Sequence, residues 1–306
     1  MSCRIVRWNV VSYFILWRFK MANCLIAYFS QTGTTTKVAE SIATGLRREG
    51  YQVDLQDIKE EQQRDVSGYD LLGIGSPVYV FRPPFIVTDY LNNLPDLEGL
   101  PTFTFLSHGT YRFDTFKSIQ RVLIRKGAKE TGYFHCYGAD FWLGYLIEGY
   151  LFSPDHPTSE ELSLAEDFGN QVARNVAGKS YALSEEDRSP NLIFRLERFF
   201  VNRLFVEKLY SRMFKVDKTN CSKCGLCIEM CPLDNIGEDK DGYPVWGRKC
   251  LLCLTCQMKC PKDAINTPVT WPIFRPFMVY NARHASRDPS LDYVRVTHSK
   301  GRTRRI

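Results

Sequence analysis

Eight of the eleven cysteines fall into two runs of identical spacing, Cys-x-x-Cys-x-x-Cys-x-x-x-Cys-Pro. The runs contain Cys221, Cys224, Cys227 and Cys231, then Cys250, Cys253, Cys256 and Cys260. Thiolates of this number and spacing are the ligands that two [4Fe-4S] clusters require. A tight loop can present only three cysteines to one cluster before the backbone turns away, so the fourth must come from elsewhere. We therefore expect the C-terminal part of the chain to carry electrons.

Two other uses of these cysteines are possible. A disulfide framework is disfavoured because the cysteine total is odd and no cleavable signal peptide is evident. Zinc sites usually pair two Cys-x-x-Cys units and need neither a third cysteine at the next step nor a Cys-Pro pair. Asp241-Gly242 predicts a turn into a short strand between the runs, and Ile236 and Ile265 follow the two Cys-Pro pairs at matching places. The segment is a short internal repeat.

A second chemical motif lies between a predicted first strand and the helix that follows it. It consists of Ser30, Gln31, Thr32, Gly33, Thr34 and Thr35. Its hydroxyls, with a glycine that lets the backbone approach, would surround a phosphate with O–H and N–H donors at a helix N-terminus. The motif is neither G-x-x-x-x-G-K-[ST] nor G-x-G-x-x-G, so it suits a monophosphate rather than a triphosphate or a dinucleotide. An ordinary hydroxyl-capped helix is the alternative.

The elements that must position this loop form an alternating pattern of apolar strands and amphipathic helices, from Asn23 to about Gly178. The pattern predicts an α/β fold with a doubly wound, parallel, five-stranded sheet. The predicted strands are Cys24 to Phe29, Gln52 to Asp57, Leu71 to Gly75, Thr102 to Leu106 and Tyr133 to Ala139. The predicted helices are Thr36 to Arg48, Phe85 to Asn92, Phe116 to Lys126 and Ser159 to Asn175.

The segment Ala27 to Thr35 resembles the FMN phosphate loop of flavodoxins, whose pattern is [ST]-x-T-G-x-T. Two further segments are similar to the flavodoxin loops that contact the flavin ring. They contribute Ser76, Pro77, Val78 and Tyr79, then Ser107, His108, Gly109 and Thr110. All three segments follow strands, at the edge of the sheet where such folds bind ligands. The resemblance implies bound FMN, although Gln31 and Thr34 stand where many relatives have Gly and Asn.

From about Met21 to Thr267 the chain resembles the flavodoxin–ferredoxin fusion proteins of bacteria and archaea, found mostly in anaerobes. The resemblance implies a cytoplasmic redox protein that carries FMN and two [4Fe-4S] clusters. In two-cluster ferredoxins the cysteine before the proline binds the opposite cluster. That assigns one cluster to Cys221, Cys224, Cys227 and Cys260, and the other to Cys250, Cys253, Cys256 and Cys231.

The chain divides into five predicted segments. They are an N-terminal extension (1–21), a flavodoxin-like FMN-binding domain (22–178), a linker with an amphipathic helix (179–216), a small α+β two-cluster ferredoxin domain (217–267) and a basic tail (268–306). The helix, predicted from Pro190 to Phe214 with Ser189 as its cap, is expected to dock on its own protein rather than on a membrane. Its apolar face carries Leu192, Leu196, Phe199, Phe200, Leu204, Leu209 and Met213.

Residues 1–20 contain an apolar run that is far shorter than the ~20 residues needed to cross a bilayer. We interpret the segment either as the result of an upstream start codon chosen in annotation or as a disordered extension, and we regard an interfacial anchor as the less favoured alternative.

The positive charges behind the formal net charge of +6 are concentrated in the second half of the chain. No nucleic-acid module accompanies them, so steering of an acidic redox partner is the favoured role, with solvated disorder as the alternative for the tail.

Two functions remain open at this point. The first is an electron-transfer protein whose clusters exchange electrons with FMN, working with a ferredoxin, a flavodoxin or an iron–sulfur oxidoreductase. The second is an FMN-dependent oxidoreductase that acts on a small organic molecule such as a quinone, a nitro compound or a tetrapyrrole precursor. Its pocket could be lined by Tyr111, Phe141, Trp142 and Tyr145, but the sequence shows no convergent acid–base set and leaves the catalytic residues unknown.

Overall fold

Five parallel strands form the central sheet of the N-terminal half. The structure is a computed structural model and describes residues 21–60, 63–180 and 190–306. The strands are β1 (Asn23–Tyr28), β2 (Gln52–Asp57), β3 (Leu71–Pro77), β4 (Pro101–His108) and β5 (Lys129–Tyr137). Their order is β2-β1-β3-β4-β5, which is the flavodoxin-like arrangement of a doubly wound sheet. The predicted fold class and all five predicted strands are confirmed.

Helices cover both faces of this sheet, as the alternating pattern predicts. They are α1 (Thr34–Arg48), α2 (Phe85–Asn93), α3 (Thr115–Arg125) and α5 (Ser159–Ala177), with a short α4 (Leu143–Ile147) before β6 (Tyr150–Phe152). Helices α1 and α5 share one apolar core with the sheet, while α2 and α3 share another. A Cβ on Gly45 would collide with the backbone of Glu166, so this glycine allows α1 and α5 to pack closely.

The second unit is built around two antiparallel pairs of short strands. β7 (Lys215–Val216) pairs with β10 (Ile265–Asn266), and β8 (Ile236–Glu238) pairs with β9 (Pro244–Trp246). Single-turn helices α8 (Leu226–Glu229) and α9 (Thr255–Met258) occupy matching places in the two cysteine runs. This small α+β unit has the internal repeat that the sequence predicts.

The helix predicted between the two units is broken, and most of its apolar face is exposed. It forms α6 (Leu192–Phe200) and α7 (Arg203–Lys208), capped by the side chains of Asn191 and Asn202. The expectation of a single helix was wrong, because Asn202 starts a new helix by accepting a hydrogen bond from the backbone N–H of Phe205. The segment does dock on its own protein, but through other residues than the predicted apolar face. The apolar contacts of this segment with the rest of the protein include those of Phe194 and Val206, which are buried. Several predicted docking residues are instead exposed, namely Leu192, Leu196, Phe199, Phe200, Leu204 and Leu209.

The C-terminal segment is folded, so solvated disorder does not describe it. It forms α10 (Arg275–Ala285) and a hairpin of β11 (Tyr293–Ser299) and β12 (Arg302–Arg305). Strand β11 pairs with β6 of the N-terminal half, and the backbone N–H of Lys300 donates to the carboxylate of Asp263 in the cysteine-rich unit. The hairpin therefore ties the two units together.

The predicted extension to residue 20 and the predicted cap Ser189 lie outside the described residues. Among the helices of the described part of the chain, none has the length and hydropathy of a membrane span.

Candidate functional site

The hydroxyl-rich loop lies at the carboxyl end of β1 and leads into α1. Gly33 adopts a left-handed backbone (φ 84°) with open space where a Cβ would stand. The N-cap of α1 is Gly33, which has no side chain, and the first turn contains no acidic residue. The N–H of Thr36 in this turn donates to the Ser30 hydroxyl at 3.4 Å. The other N–H groups of the turn and the hydroxyls of the loop form an anion-favouring helix start, which fits the phosphate of FMN.

A cleft opens beside this loop, at the edge where the parallel strands end. Most of the predicted cofactor-binding residues line it, namely Gln31, Thr32, Thr34, Thr35, Pro77, Val78, Tyr79, Ser107, His108, Gly109 and Thr110. Ser30, Gly33 and Ser76 are not among its lining residues. Ser30 instead accepts a hydrogen bond from the N–H of Thr36, and the Ser76 hydroxyl donates to the carbonyl of Pro77. The three loops of the sequence prediction thus meet at one place.

The backbone of the loop after β3 is strained. Val80 and Phe81 both have positive φ, at 47° and 60°, and this conformation is most unusual for Val80, because valine is β-branched. The N–H of Val78 donates to the carbonyl of Ser107, so this loop is hydrogen-bonded to the loop after β4. Strain of this kind concentrates at ligand sites, which agrees with a ring-contacting loop.

His108 lies in the cleft lining, but its ring is engaged with the protein interior. Nδ1 lies 3.0 Å from the carbonyl of Thr110 and Nε2 lies 3.1 Å from Nδ1 of His135. Because the Thr110 carbonyl can only accept, Nδ1 carries the proton and Nε2 accepts from His135. Burial, reinforced by His135, lowers the pKa of His108 to about 3. The residue is therefore neutral and is unsuited to donate a proton into the cleft.

The loop after β5 supplies a carboxyl group that the sequence analysis missed. Asp140 lines the cleft, accepting hydrogen bonds from the backbone N–H of Trp142 (3.1 Å) and the hydroxyl of Thr110 (3.2 Å). A Cβ on Gly109 would collide with the Asp140 side chain, so the two loops need glycine there. The rule that ligands bind at the carboxyl ends of parallel strands would have pointed to this residue.

Burial raises the pKa of Asp140 to about 6. The aspartate of an unfolded chain titrates at about pH 4. Between about pH 4 and pH 6 the carboxyl group of Asp140 is therefore protonated in the folded protein and ionised in the unfolded chain. The free energy of unfolding is therefore expected to fall as pH rises from about 4 to about 6 through this group. The Asp140→Asn variant should lack that part of the slope in urea titrations across this pH range. An unchanged slope would contradict the burial of this carboxyl group.

The eight cysteines surround two cavities in the second unit. Cys221, Cys224, Cys227 and Cys260 line one, and Cys231, Cys250, Cys253 and Cys256 line the other, with Cys256 also reaching the first. These are the two sets that the crossed assignment predicts. The cysteines of the described residues are free of disulfides.

The two runs hold their sulfurs with the same backbone geometry. The Sγ atoms of Cys221 and Cys250 accept from the backbone N–H of the residue two positions later, at 3.4 and 3.3 Å. The Sγ atoms of Cys231 and Cys260 accept from the backbone N–H of the residue four positions later, both at 3.3 Å. Such N–H···S contacts stabilise thiolates and tune the potentials of iron–sulfur clusters.

No three His, Cys, Asp or Glu side chains in the described ranges converge as ligands of a single metal ion would. A [4Fe-4S] cluster differs from a single metal ion, because its four cysteine ligands bind four separate iron atoms and therefore stand farther apart. The repeated geometry of the cysteine runs therefore fits 4Fe-4S ligation.

We call Cys221, Cys224, Cys227 and Cys260 the first cysteine set, and Cys231, Cys250, Cys253 and Cys256 the second cysteine set. The cavity of the second cysteine set borders the cleft. Leu252, Cys253, Thr255 and Met258 line the cleft together with the flavin-type loops. The amide of Gln31 donates to the hydroxyl of Thr255 (2.7 Å) and to Sγ of Cys253 (3.4 Å), and its oxygen accepts from the hydroxyl of Tyr79 (2.6 Å). Gln31 is one of the two positions at which the sequence analysis noted a departure from the flavodoxin pattern. It connects the phosphate loop directly to a cysteine of the second set.

Comparisons with known proteins match parts of both units. A family profile described as "Flavodoxin domain" matches residues 25–142, and one described as "4Fe-4S binding domain" matches residues 214–236. A flavodoxin of Aquifex aeolicus (strain VF5) is 28% identical over 166 residues, which cover 51% of this chain and 88% of that protein.

Solved structures to which part of the chain is similar include an archaeal flavodoxin and flavodoxin 2 of Bacillus cereus. The first is 15% identical with a TM-score of 0.41 and covers 51% of this chain and 99% of that one. The second is 23% identical with a TM-score of 0.40 and covers 50% and 99%.

The chain is therefore similar to flavodoxins over residues 25–142 and to 4Fe-4S binding domains over residues 214–236. This pair of matches is consistent with a flavodoxin–ferredoxin fusion. The profile match to the iron–sulfur domain ends before the second cysteine run.

Proposed function

We propose that the chain relays electrons between two [4Fe-4S] clusters and FMN. The first cluster would be held by Cys221, Cys224, Cys227 and Cys260, and the second by Cys231, Cys250, Cys253 and Cys256. FMN would lie in the cleft with its phosphate at the loop of residues 30–35. When bound, FMN can exchange one electron or two, which joins one-electron carriers to two-electron chemistry.

The observation that carries this proposal is the boundary shared by the cleft and the second cysteine set. Cys253 belongs to that cysteine set and lines the cleft as well. Gln31 joins the phosphate loop to Cys253 and Thr255 through hydrogen bonds, without an intervening layer of protein. Redox groups held on either side of this boundary would be near neighbours.

The two cysteine sets differ in their exposure, which gives the relay an order. Cys224 of the first set is exposed, whereas Cys253 of the second set faces the cleft. The first cluster would therefore exchange electrons with partner proteins and the second with FMN. The cytoplasm is a suitable compartment, because its reducing conditions keep thiols free for cluster binding.

The cavity of the first set is lined by three lysines and one glutamate, Glu238, and this excess of positive charge suits an acidic redox partner such as a ferredoxin or a flavodoxin. Lys223, Lys259 and Lys262 line that cavity and are exposed. Charge attraction speeds association, and salt screens it. We expect the second-order rate constant for reduction by a free acidic ferredoxin to fall steeply between low and physiological ionic strength in stopped-flow experiments. A rate that does not respond to salt would contradict this docking surface.

Gln31 should tune the second cluster selectively. Removing its N–H···S contact in Gln31→Leu is expected to lower the potential of the second cluster by up to roughly 65 mV, since one charge-assisted hydrogen bond is worth about 1.5 kcal/mol and the couple transfers one electron. Redox titration followed by electron paramagnetic resonance measures both clusters in one sample. The first cluster is the internal control and should keep its potential. Equal shifts of both clusters, or of neither, would contradict the role of Gln31.

The cofactor content tests the proposal itself. Anaerobic purification followed by iron, sulfide and flavin analysis should give about eight irons, from four in each of two clusters, and one FMN per chain. Fewer than four irons per cysteine set, or the absence of FMN, would overturn the proposal.

A further inference from the structure

Helices α6 and α10 cover one end of the cleft, although neither belongs to the flavodoxin-like sheet or to the cysteine runs. Phe194 of α6 packs against Phe81 and Phe113 in the loops after β3 and β4, with ring centroids 4.8 and 5.2 Å apart. The guanidinium of Arg198 pairs with Asp114, and Arg82 donates to the carbonyl of Arg198. These contacts fix α6 above the loops that would hold the flavin ring.

The two helices present a polar pair to the cleft. Asn281 of α10 donates from Nδ2 to Oε2 of Glu197 on α6, at 2.9 Å, and both residues line the cleft. The carboxyl group accepts the amide N–H, which fixes the orientation of the amide and leaves Oδ1 as the free end. Asn281 is only 1% exposed, and its buried Oδ1 has no hydrogen-bond partner among the described residues. A buried acceptor without a partner is costly, so a ligand that donates a hydrogen bond would relieve it.

The rest of the lining indicates what kind of ligand fits. The described residues of this lining include the carboxyl groups of Asp140 and Glu197 but no lysine or arginine. Tyr111 and Trp142 add aromatic surface next to them. Such a site favours an aromatic compound that bears hydrogen-bond donors and no negative charge.

We propose that Glu197 and Asn281 form a subsite for a small aromatic molecule whose O–H or N–H group donates to Oδ1 of Asn281, beside the ring of FMN. Phenols, hydroquinones and aromatic amines have this chemistry. The inference rests on the proposed function in that FMN occupies the remainder of the cleft. It adds to the relay a site at which a small organic molecule meets the flavin.

The test uses the full-length holoprotein, with its iron and flavin content determined first. Hydroquinone is titrated anaerobically and its binding is followed by the change in the visible flavin spectrum. The control ligand is 1,4-dimethoxybenzene, the dimethyl ether of hydroquinone, which has the same ring but no O–H donors. Asn281→Leu and Glu197→Gln are compared with Glu207→Gln, a control carboxyl substitution on α7 that lies outside the cleft lining.

Hydroquinone is expected to bind at least tenfold more tightly than its dimethyl ether. Asn281→Leu should lose that preference, Glu197→Gln should weaken it, and Glu207→Gln should keep it. FMN affinity, measured by fluorescence on reconstitution, should change less than twofold in all three variants. Absence of hydroquinone binding, or equal binding of the two probes, would overturn the subsite.

A drop in FMN affinity of tenfold or more in Asn281→Leu would also overturn it, because the flavin's own N–H would then be the donor. Failure of the relay is distinguishable, since it would appear as missing cofactors or missing flavin reduction in the same preparation.

Discussion

Replacing Cys253 by alanine is expected to halve the iron content and to stop electron transfer between the clusters and the flavin. Cys253 is the residue shared by the second cysteine set and the cleft. Loss of one of four thiolates removes the cluster that would lie next to FMN. Iron analysis should fall from about eight to about four per chain. Flavin content should remain at one FMN, because Gln31 keeps its shorter hydrogen bond to Thr255 and the hydroxyls of the phosphate loop are unchanged.

The matched control is Cys224→Ala, which changes the second cysteine of the other run. It should lose the same amount of iron, because each run contributes three ligands to its own cluster. The remaining cluster would still border the cleft, so photoreduction should still bleach the flavin. The account fails if the two variants impair flavin reduction equally, or if Cys253→Ala keeps its full iron content.

Substituting Gly33 by alanine should weaken FMN binding by about ten- to a hundredfold. Gly33 combines a left-handed backbone with open space at the start of α1, where the phosphate would lie. A side chain there strains the backbone by about 1 kcal/mol and separates the phosphate from the N–H groups of the helix start, each worth about 1.5–3 kcal/mol as a charge-assisted bond. Fluorescence titration of the apoprotein with FMN measures the change.

Gly50 provides a close control for this substitution. It also has a left-handed backbone (φ 90°) and open space where a Cβ would stand, but it follows the C-terminal end of α1. Gly50→Ala should destabilise the fold by a similar amount and leave FMN affinity unchanged. Comparable losses of FMN affinity in the two variants would show that the effect is general strain and not the loss of a phosphate site.

The sequence predicted the sheet and the grouping of the loops because both depend on local patterns. Apolar runs separated by amphipathic helices define the five strands, and the ends of parallel strands necessarily meet at one edge. The spacing of the cysteines predicts the two runs, whereas the crossed assignment of the two sets comes from the resemblance to two-cluster ferredoxins. Gln31 was recognised only as a departure from the flavodoxin pattern.

The features that the sequence did not predict depend on contacts between distant segments. Gln31 meets Thr255 across 224 positions of the chain, and Asn281 meets Glu197 across 84. The apolar face of the linker helix has the right period for docking, but Asn202 breaks the helix and Phe194 and Val206 make the contact instead. The pairing of β11 with β6 joins segments that have no shared pattern. The periodicity of apolar residues predicts the helices and strands, whereas these contacts between distant segments arise only when the chain folds.

The most direct test of the relay is a photoreduction experiment on the anaerobic holoprotein. A flash reduces the clusters, and the visible absorbance of the flavin is followed with time at several protein concentrations. We predict that the flavin bleaches as the clusters are reoxidised, with a rate that does not depend on protein concentration. A flavin that stays oxidised, or that bleaches at a rate proportional to concentration, would contradict transfer within the chain.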